Sequence, residues 1–215
     1  MDPLFWNERW QTGLIGFHQG QPNPLLVEHH ALIAGDHRVY VPLCGKALDL
    51  LWLRDQGHEV TGSERVSLAV QQLFAEQHLL PMTTTRGAFK VHLTPRLAIV
   101  EGDALLVDVD LVGVVDAVYD RAALVALNPQ TREPYVAALL RILRPGGHIL
   151  LVTFEYDQSK LDGPPWSVNT DDVQLLFGSA CSVTQLGHRR EPPGPRFVAA
   201  GVDDVSERIF LLQKR

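Results

Sequence analysis

The sequence predicts an α/β fold in which a mostly parallel sheet is covered by helices on both faces. Three observations predict it. From residue 38 onward short apolar runs alternate with helical patterns, the rhythm of βαβ units. The chain has 215 residues, 46% hydrophobic and 20% charged, a globular composition of a size that one domain accommodates. Its ending departs from a dinucleotide-binding fold. After the fifth strand come one helix and two strands with no helical pattern between them, which predicts a terminal antiparallel pair and no second βαβαβ half.

Each element has its own signal. Asp2-Pro3 opens a first helix that Gly13 stops, with Trp6 and Trp10 at i, i+4 on one face. Asn23-Pro24 opens a second, ended by Gly35. Residues 38–43 read as strand, 47–56 as helix closed by Gly57, 59–63 as strand and 67–78 as helix. Residues 79–96 break the alternation with threonines and turn residues, and read as an irregular or hairpin insertion. Strands follow at 97–100, 114–119 and 149–156. Between the last two, Asn128-Pro129 starts a helix that Arg144-Pro145-Gly146-Gly147 stops. Residues 170–177 read as helix, 182–187 as strand, EPPGP as loop and 207–213 as strand.

Composition also excludes. Nineteen Lys and Arg against twenty-five Asp and Glu leave a net charge of −6, so no basic stripe offers itself to nucleic acid or an anionic membrane. No apolar run approaches the ~20 residues of a membrane span. The start, MDPLFWNERW, lacks the basic and apolar stretches of a signal peptide. Cys44 and Cys181 stand far apart with no ligand spacing, which argues against a disulfide framework or a metal site and fits a cytoplasmic location. The nine histidines form no H-x-x-x-H and read as surface or satisfied core residues, and no G-x-S-x-G is present.

In an open α/β sheet the ligand lies beyond the carboxyl ends of the strands. After strand one, Leu43-Cys44-Gly45-Lys46 enters a helix, and a glycine there lets backbone approach a ligand. Glu64, nineteen residues beyond Gly45, closes strand two, where a carboxylate accepts hydrogen bonds from a ribose; a solvated glutamate is the plain alternative. After strand three, Gly102-Asp103-Ala104 can flank an adenine, Asp103 accepting from its amine, or Asp103 can simply cap a helix. After strand four, Arg121 can grip an anion, or pair with Asp120 or another acid nearby. Trp6, Trp10 and Phe17 read as packing residues or as a lid over a flat cationic ligand. Arg196 belongs to the one locally basic patch, with His188, Arg189 and Arg190. These residues point to a nucleoside-bearing cofactor. An NAD-dependent oxidoreductase is one candidate, weakened by the lack of G-x-G-x-x-G. A protein that binds such a cofactor without turnover is another.

FWNERWQTGLIGFH, VPLCGKALDLLWLRDQGHEVTGSE, YDRAALVALNP and TFEYDQSKLDGPPWSV together resemble the thiopurine S-methyltransferase family, in its bacterial form. That family is a branch of the class I S-adenosylmethionine-dependent methyltransferases, and the resemblance runs from Phe5 to Leu212. It implies one Rossmann-like domain over 1–215, a seven-stranded sheet with an antiparallel last strand, a helical lid over 1–35 and an insertion over 79–96. It implies S-adenosylmethionine as cofactor, S-adenosylhomocysteine as product, and direct methyl transfer to a small aromatic or heterocyclic thiol by a monomer. Inorganic selenium or tellurium compounds are the alternative acceptors. Trp10, Leu43, Glu64 and Arg121 then correspond to cofactor contacts and Gly102, Asp103 and Ala104 to the adenine lining. Phe17, Arg196 and again Arg121 correspond to the substrate side, and no catalytic base is assigned. Two departures stand out: Arg65 in GSERV, expected to point to solvent, and the altered stretch PRFVAAG around Arg196.

Overall fold

The computed structural model describes residues 3–215; Asp2, the expected cap of the first helix, lies outside them. Helices α1 (Pro3–Thr12) and α2 (Pro24–His29), the latter prolonged by a 3-10 turn at His30–Leu32, precede the sheet. Then come β1 (Arg38–Val41), α3 (Asp49–Asp55), β2 (Glu59–Glu64), α4 (Ser67–Glu76), β3 (Met82–Arg86), β4 (Phe89–Thr94) and β5 (Leu97–Glu101). The chain continues through α5 (Val109–Val112), β6 (Val115–Arg121), α6 (Pro129–Ile142), β7 (Leu143–Glu155) and α7 (Thr170–Phe177). It ends with β8 (Cys181–Arg190), α8 (Pro195–Ala199) and β9 (Ser206–Lys214).

All nine strands form one sheet in the order β3-β4-β5-β2-β1-β6-β7-β9-β8. β5, β2, β1, β6 and β7 run parallel, and β9 is antiparallel to both β7 and β8. The expected terminal antiparallel pair is therefore present. The count of seven strands is not. The 79–96 insertion folds as the hairpin β3–β4 around Gly87 and pairs antiparallel with β5, which would otherwise be an edge. The new edge, β3, is exposed along its whole length and carries Thr83, Thr84 and Thr85. The loop expected between β8 and β9 contains α8. β7 begins at Leu143, absorbing the Pro-Gly-Gly stretch, because Leu143 already pairs with Val115 ahead of a register shift. Asn23 and Asn128 cap their helices as expected, accepting from the N–H groups of Leu25 and Thr131.

Strand alternation divides the core in two. Tyr40, Val118, Ile149, Leu151 and Phe210 pack on one side with Tyr135 and Phe177. Val39, Tyr119, Leu150, Val152 and Ile209 pack on the other with Leu26, Leu50 and Leu73. The side holding Leu50 is tight around Gly62 of β2. A Cβ there would stand 2.7 Å from Cys44 Sγ and 2.9 Å from Ile99 Cδ1. Gly62→Ala is therefore expected to cost about 1–3 kcal/mol through overpacking. Urea unfolding would show a lower midpoint at constant slope, and an unchanged midpoint would mean the core yields freely there.

Candidate functional site

The strand order reverses between β1 and β6, and the chain there is strained on both sides. Leu43, two residues past β1, has φ +45°, and Ala122, just past β6, has φ +62°, both in the left-handed region that non-glycine residues avoid. Both border a cavity of about 730 Å³ that lies across the carboxyl ends of the parallel strands. Trp10, Phe17, Glu64 and Arg121 border the same cavity. So do Gly102, Asp103, Ala104 and Arg196, which brings the residues that the resemblance relates to cofactor and substrate onto one cavity, while Gly45, Asp120, His188, Arg189 and Arg190 do not line it.

Glu64 is the last residue of β2 and only 8% exposed. Its Oε2 accepts from the Gly45 N–H at 2.8 Å and its Oε1 from the Val66 N–H at 2.7 Å. Burial pushes this carboxyl above its usual range, and those backbone donors partly offset the shift. Each oxygen keeps a lone pair for a further donor. Gly45 has φ +52°, and a Cβ on it would stand 2.9 Å from the Trp10 ring. Trp10 itself is 4% exposed and packs with Val66 and Ala69, while its ring meets Phe17 edge-on at 5.9 Å. The aromatic segment is thus both packing and cavity wall.

Asp103 takes the capping role: its Oδ1 accepts from Leu105 N–H at 3.0 Å. Its Oδ2 accepts from Arg65 Nη1 at 3.0 Å, so Arg65 folds back to an ion pair and not simply to solvent. Gly102 is hemmed by Phe89 of the β3–β4 hairpin, whose ring a Cβ would strike.

Consecutive residues of β6 serve opposite faces. Asp120 turns into the core, where Oδ2 accepts from Tyr135 OH at 2.7 Å and Oδ1 from Leu124 N–H at 3.1 Å. The ion pair weighed between Asp120 and Arg121 does not form. Arg121 turns to the cavity instead, and its Nη1 donates to the Phe17 carbonyl at 2.7 Å. Around it stand Asp49 and Glu207, two carboxyls raised by burial and partly restored by the Arg121 charge. Two buried hydroxyls on the cavity wall, Tyr119 and Thr153, have no hydrogen-bond partner among the described residues. Arg196, on α8, donates to the carbonyls of Pro164 and Asp162, both at 2.6 Å.

Asp49, Tyr119, Glu207 and His18 were not singled out in the sequence. His18 borders the cavity, a place that the reading of the histidines as surface or satisfied core did not single out. Only its place inside the FWNERWQTGLIGFH block hinted at it; the other three carried no local signal. Among the described residues no cluster of His, Cys, Asp or Glu is arranged to hold a metal ion, and no helix is long and apolar enough to cross a membrane.

Solved structures share this architecture. An S-adenosylmethionine-dependent methyltransferase from Anabaena variabilis superposes with a TM-score of 0.67 at 12% identity, covering 98% of this chain and 93% of that one. The 1,6-didemethyltoxoflavin N1-methyltransferase of Burkholderia thailandensis, solved with its acceptor and S-adenosylhomocysteine bound, gives 0.65 at 18% identity, covering 98% and 86%. The fold is that of the class I methyltransferases. The family model for thiopurine S-methyltransferase (TPMT) matches residues 1–215, and a thiopurine S-methyltransferase of Pseudomonas fluorescens is 43% identical over 219 residues, covering all of both chains. The chain belongs to the thiopurine S-methyltransferase family.

Burial holds the Asp120 carboxyl up at about 6. The unfolded chain loses this proton near pH 4, so the folded state binds more protons between about pH 4 and 6, and stability falls as pH rises through that window. Asp120→Asn removes the contribution. The stability of the wild type relative to the variant, measured by urea unfolding, is expected to drop by about 2–3 kcal/mol from pH 4 to 7. A difference independent of pH would contradict this.

Proposed function

We propose that the chain methylates the sulfur of a small aromatic or heterocyclic thiol, using S-adenosylmethionine. The carrying observation is the meeting, on one cavity at the strand-order reversal, of a buried carboxylate with free lone pairs and an arginine anchored to an aromatic segment. The cofactor supplies a methyl group already activated on a sulfonium. The residues present suit it. Glu64 would accept from the two hydroxyls of a ribose, which would also repay the burial of its charge. Gly45 leaves the backbone bare beside that place, and the Trp10 ring occupies the space that a side chain on Gly45 would take. Gly102, Asp103 and Ala104 would line the adenine, Leu43 would contact the cofactor, and the unpaired Tyr119 and Thr153 hydroxyls would be available to the ligands for further hydrogen bonds.

On the acceptor side Arg121 would favour the thiolate over the thiol, and Phe17 would pack against the ring. Arg196 would act through the 162–165 loop that it holds. Residues 3–35, with α1 packed on α4, would serve as the lid that keeps water away and aligns sulfur with methyl.

Calorimetric titration with S-adenosylhomocysteine and NAD in parallel tests the cofactor; binding of NAD alone would overturn the reading. Glu64→Ala is expected to weaken S-adenosylhomocysteine by about 1–3 kcal/mol. A labelled-methyl assay with 6-mercaptopurine tests the acceptor. Arg121→Ala is expected to lower kcat/KM about 10²–10³-fold while the unfolding midpoint moves little. Loss of folding instead would make Arg121 a structural residue.

A further inference from the structure

Among the described histidines, His18 is the one that borders the cavity. His30 and His58 meet at 2.7 Å, His92 reaches Glu101 at 2.9 Å and His148 reaches Asp36 at 2.9 Å. The His18 imidazole borders the cavity and has no hydrogen bond among the described residues. Its backbone is nevertheless fixed. The preceding carbonyl, of Phe17, takes the Arg121 guanidinium at 2.7 Å, and the His18 N–H donates to Ile15 at 2.8 Å. An anchored but unpaired imidazole beside the arginine that would hold an acceptor sulfur is placed for proton transfer.

The charged groups around it agree. Lys46, from the β1–α3 connection, and Arg121, at the end of β6, both oppose the imidazolium, while Glu76, at the end of α4, favours it. Glu76 is already paired with Lys46 at 2.5 Å. Partial burial is the largest influence, and the net effect is a pKa below the usual value of histidine. At neutral pH the ring is neutral and has a lone pair to offer.

We propose that His18 is the general base that takes the proton from the acceptor thiol. The inference rests on the reading of this cavity as a thiol-methylating site. The thiol proton passes to the imidazole, and a sulfur lone pair of the thiolate forms the new bond to the methyl carbon. The bond from that carbon to the sulfonium breaks, its electron pair staying on the sulfur of S-adenosylhomocysteine, and the imidazolium returns its proton to solvent. Acceptors that are already ionised in water need this step least, and weakly acidic thiols need it most.

The test compares wild type with His18→Gln on three acceptors of falling acidity, 4-nitrothiophenol, 6-mercaptopurine and benzyl mercaptan. The variant is expected to lose about a hundredfold in kcat with benzyl mercaptan, and progressively less as acidity rises. In wild type, the benzyl mercaptan pH profile should show an acid limb below the usual histidine pKa, and the variant should lose it. Calorimetry with S-adenosylhomocysteine checks that the variant still folds, and His18→Asn serves as a second variant. An equal loss on all three thiols, or an acid limb that survives, would overturn the assignment. A second readout does not depend on turnover: the ¹⁵N-imidazole resonances of His18 should move when benzyl mercaptan is added to enzyme saturated with S-adenosylhomocysteine. If wild type methylates none of the thiols, the acceptor reading above fails. An unmoved His18 resonance despite turnover sinks the present inference alone.

Discussion

The two hydrogen bonds that hold the Glu64 carboxylate organise the surrounding structure. One comes from Gly45 in the connection after β1, the other from Val66 at the start of α4, and Glu64 itself ends β2. Three segments that are separate in the chain are thereby fixed around one charge. A charge buried this far is tolerated only because donors surround it, and the donors are backbone groups that cannot turn away. Gly45 must be bare to reach it, since the Trp10 ring already fills the space of a side chain. The position of the N-terminal aromatic segment therefore follows from the same constraint.

Arg121 couples that segment to the sheet from the other side of the strand-order reversal. Its bond to the Phe17 carbonyl joins the end of β6 to a residue 104 positions earlier. Its neighbour Asp120 is turned the other way by the two-residue period of the strand, and spends its carboxylate on Tyr135 and Leu124 in the core. One strand end thus provides a structural anchor and a cavity cation without the two neutralising each other. In a chain of net charge −6 the cavity keeps this positive group locally, flanked by Asp49 and Glu207.

Much of this was legible beforehand for a geometric reason. Parallel strands deliver their carboxyl ends to one edge, so reading the residue after each strand located Leu43, Glu64, Gly102 and Arg121 together. Helix starts at Asn23-Pro24 and Asn128-Pro129 were legible because capping is local. What was illegible depended on partners remote in sequence. That Asp103 pairs with Arg65, 38 residues away, while it caps at Leu105 had no local signal. His18, Asp49, Tyr119 and Glu207 come from four different parts of the chain, and no periodicity links them.

The hairpin shows the same boundary in the fold. Threonines and turn residues identified 79–96 as an interruption, but whether it lay free or paired depended on the open edge of β5. By itself, then, the sequence determined the α/β class, the order of its elements, the antiparallel ending and the strand ends that carry the site, because each rests on local pattern and strand polarity. Tertiary structure alone decided the joining of the two hairpin strands to the sheet, the direction of Asp120 against Arg121, and the unpaired state of the His18 ring. Those depend on which surfaces meet, and hydrogen-bond partners separated by tens of residues are chosen only once the sheet has assembled.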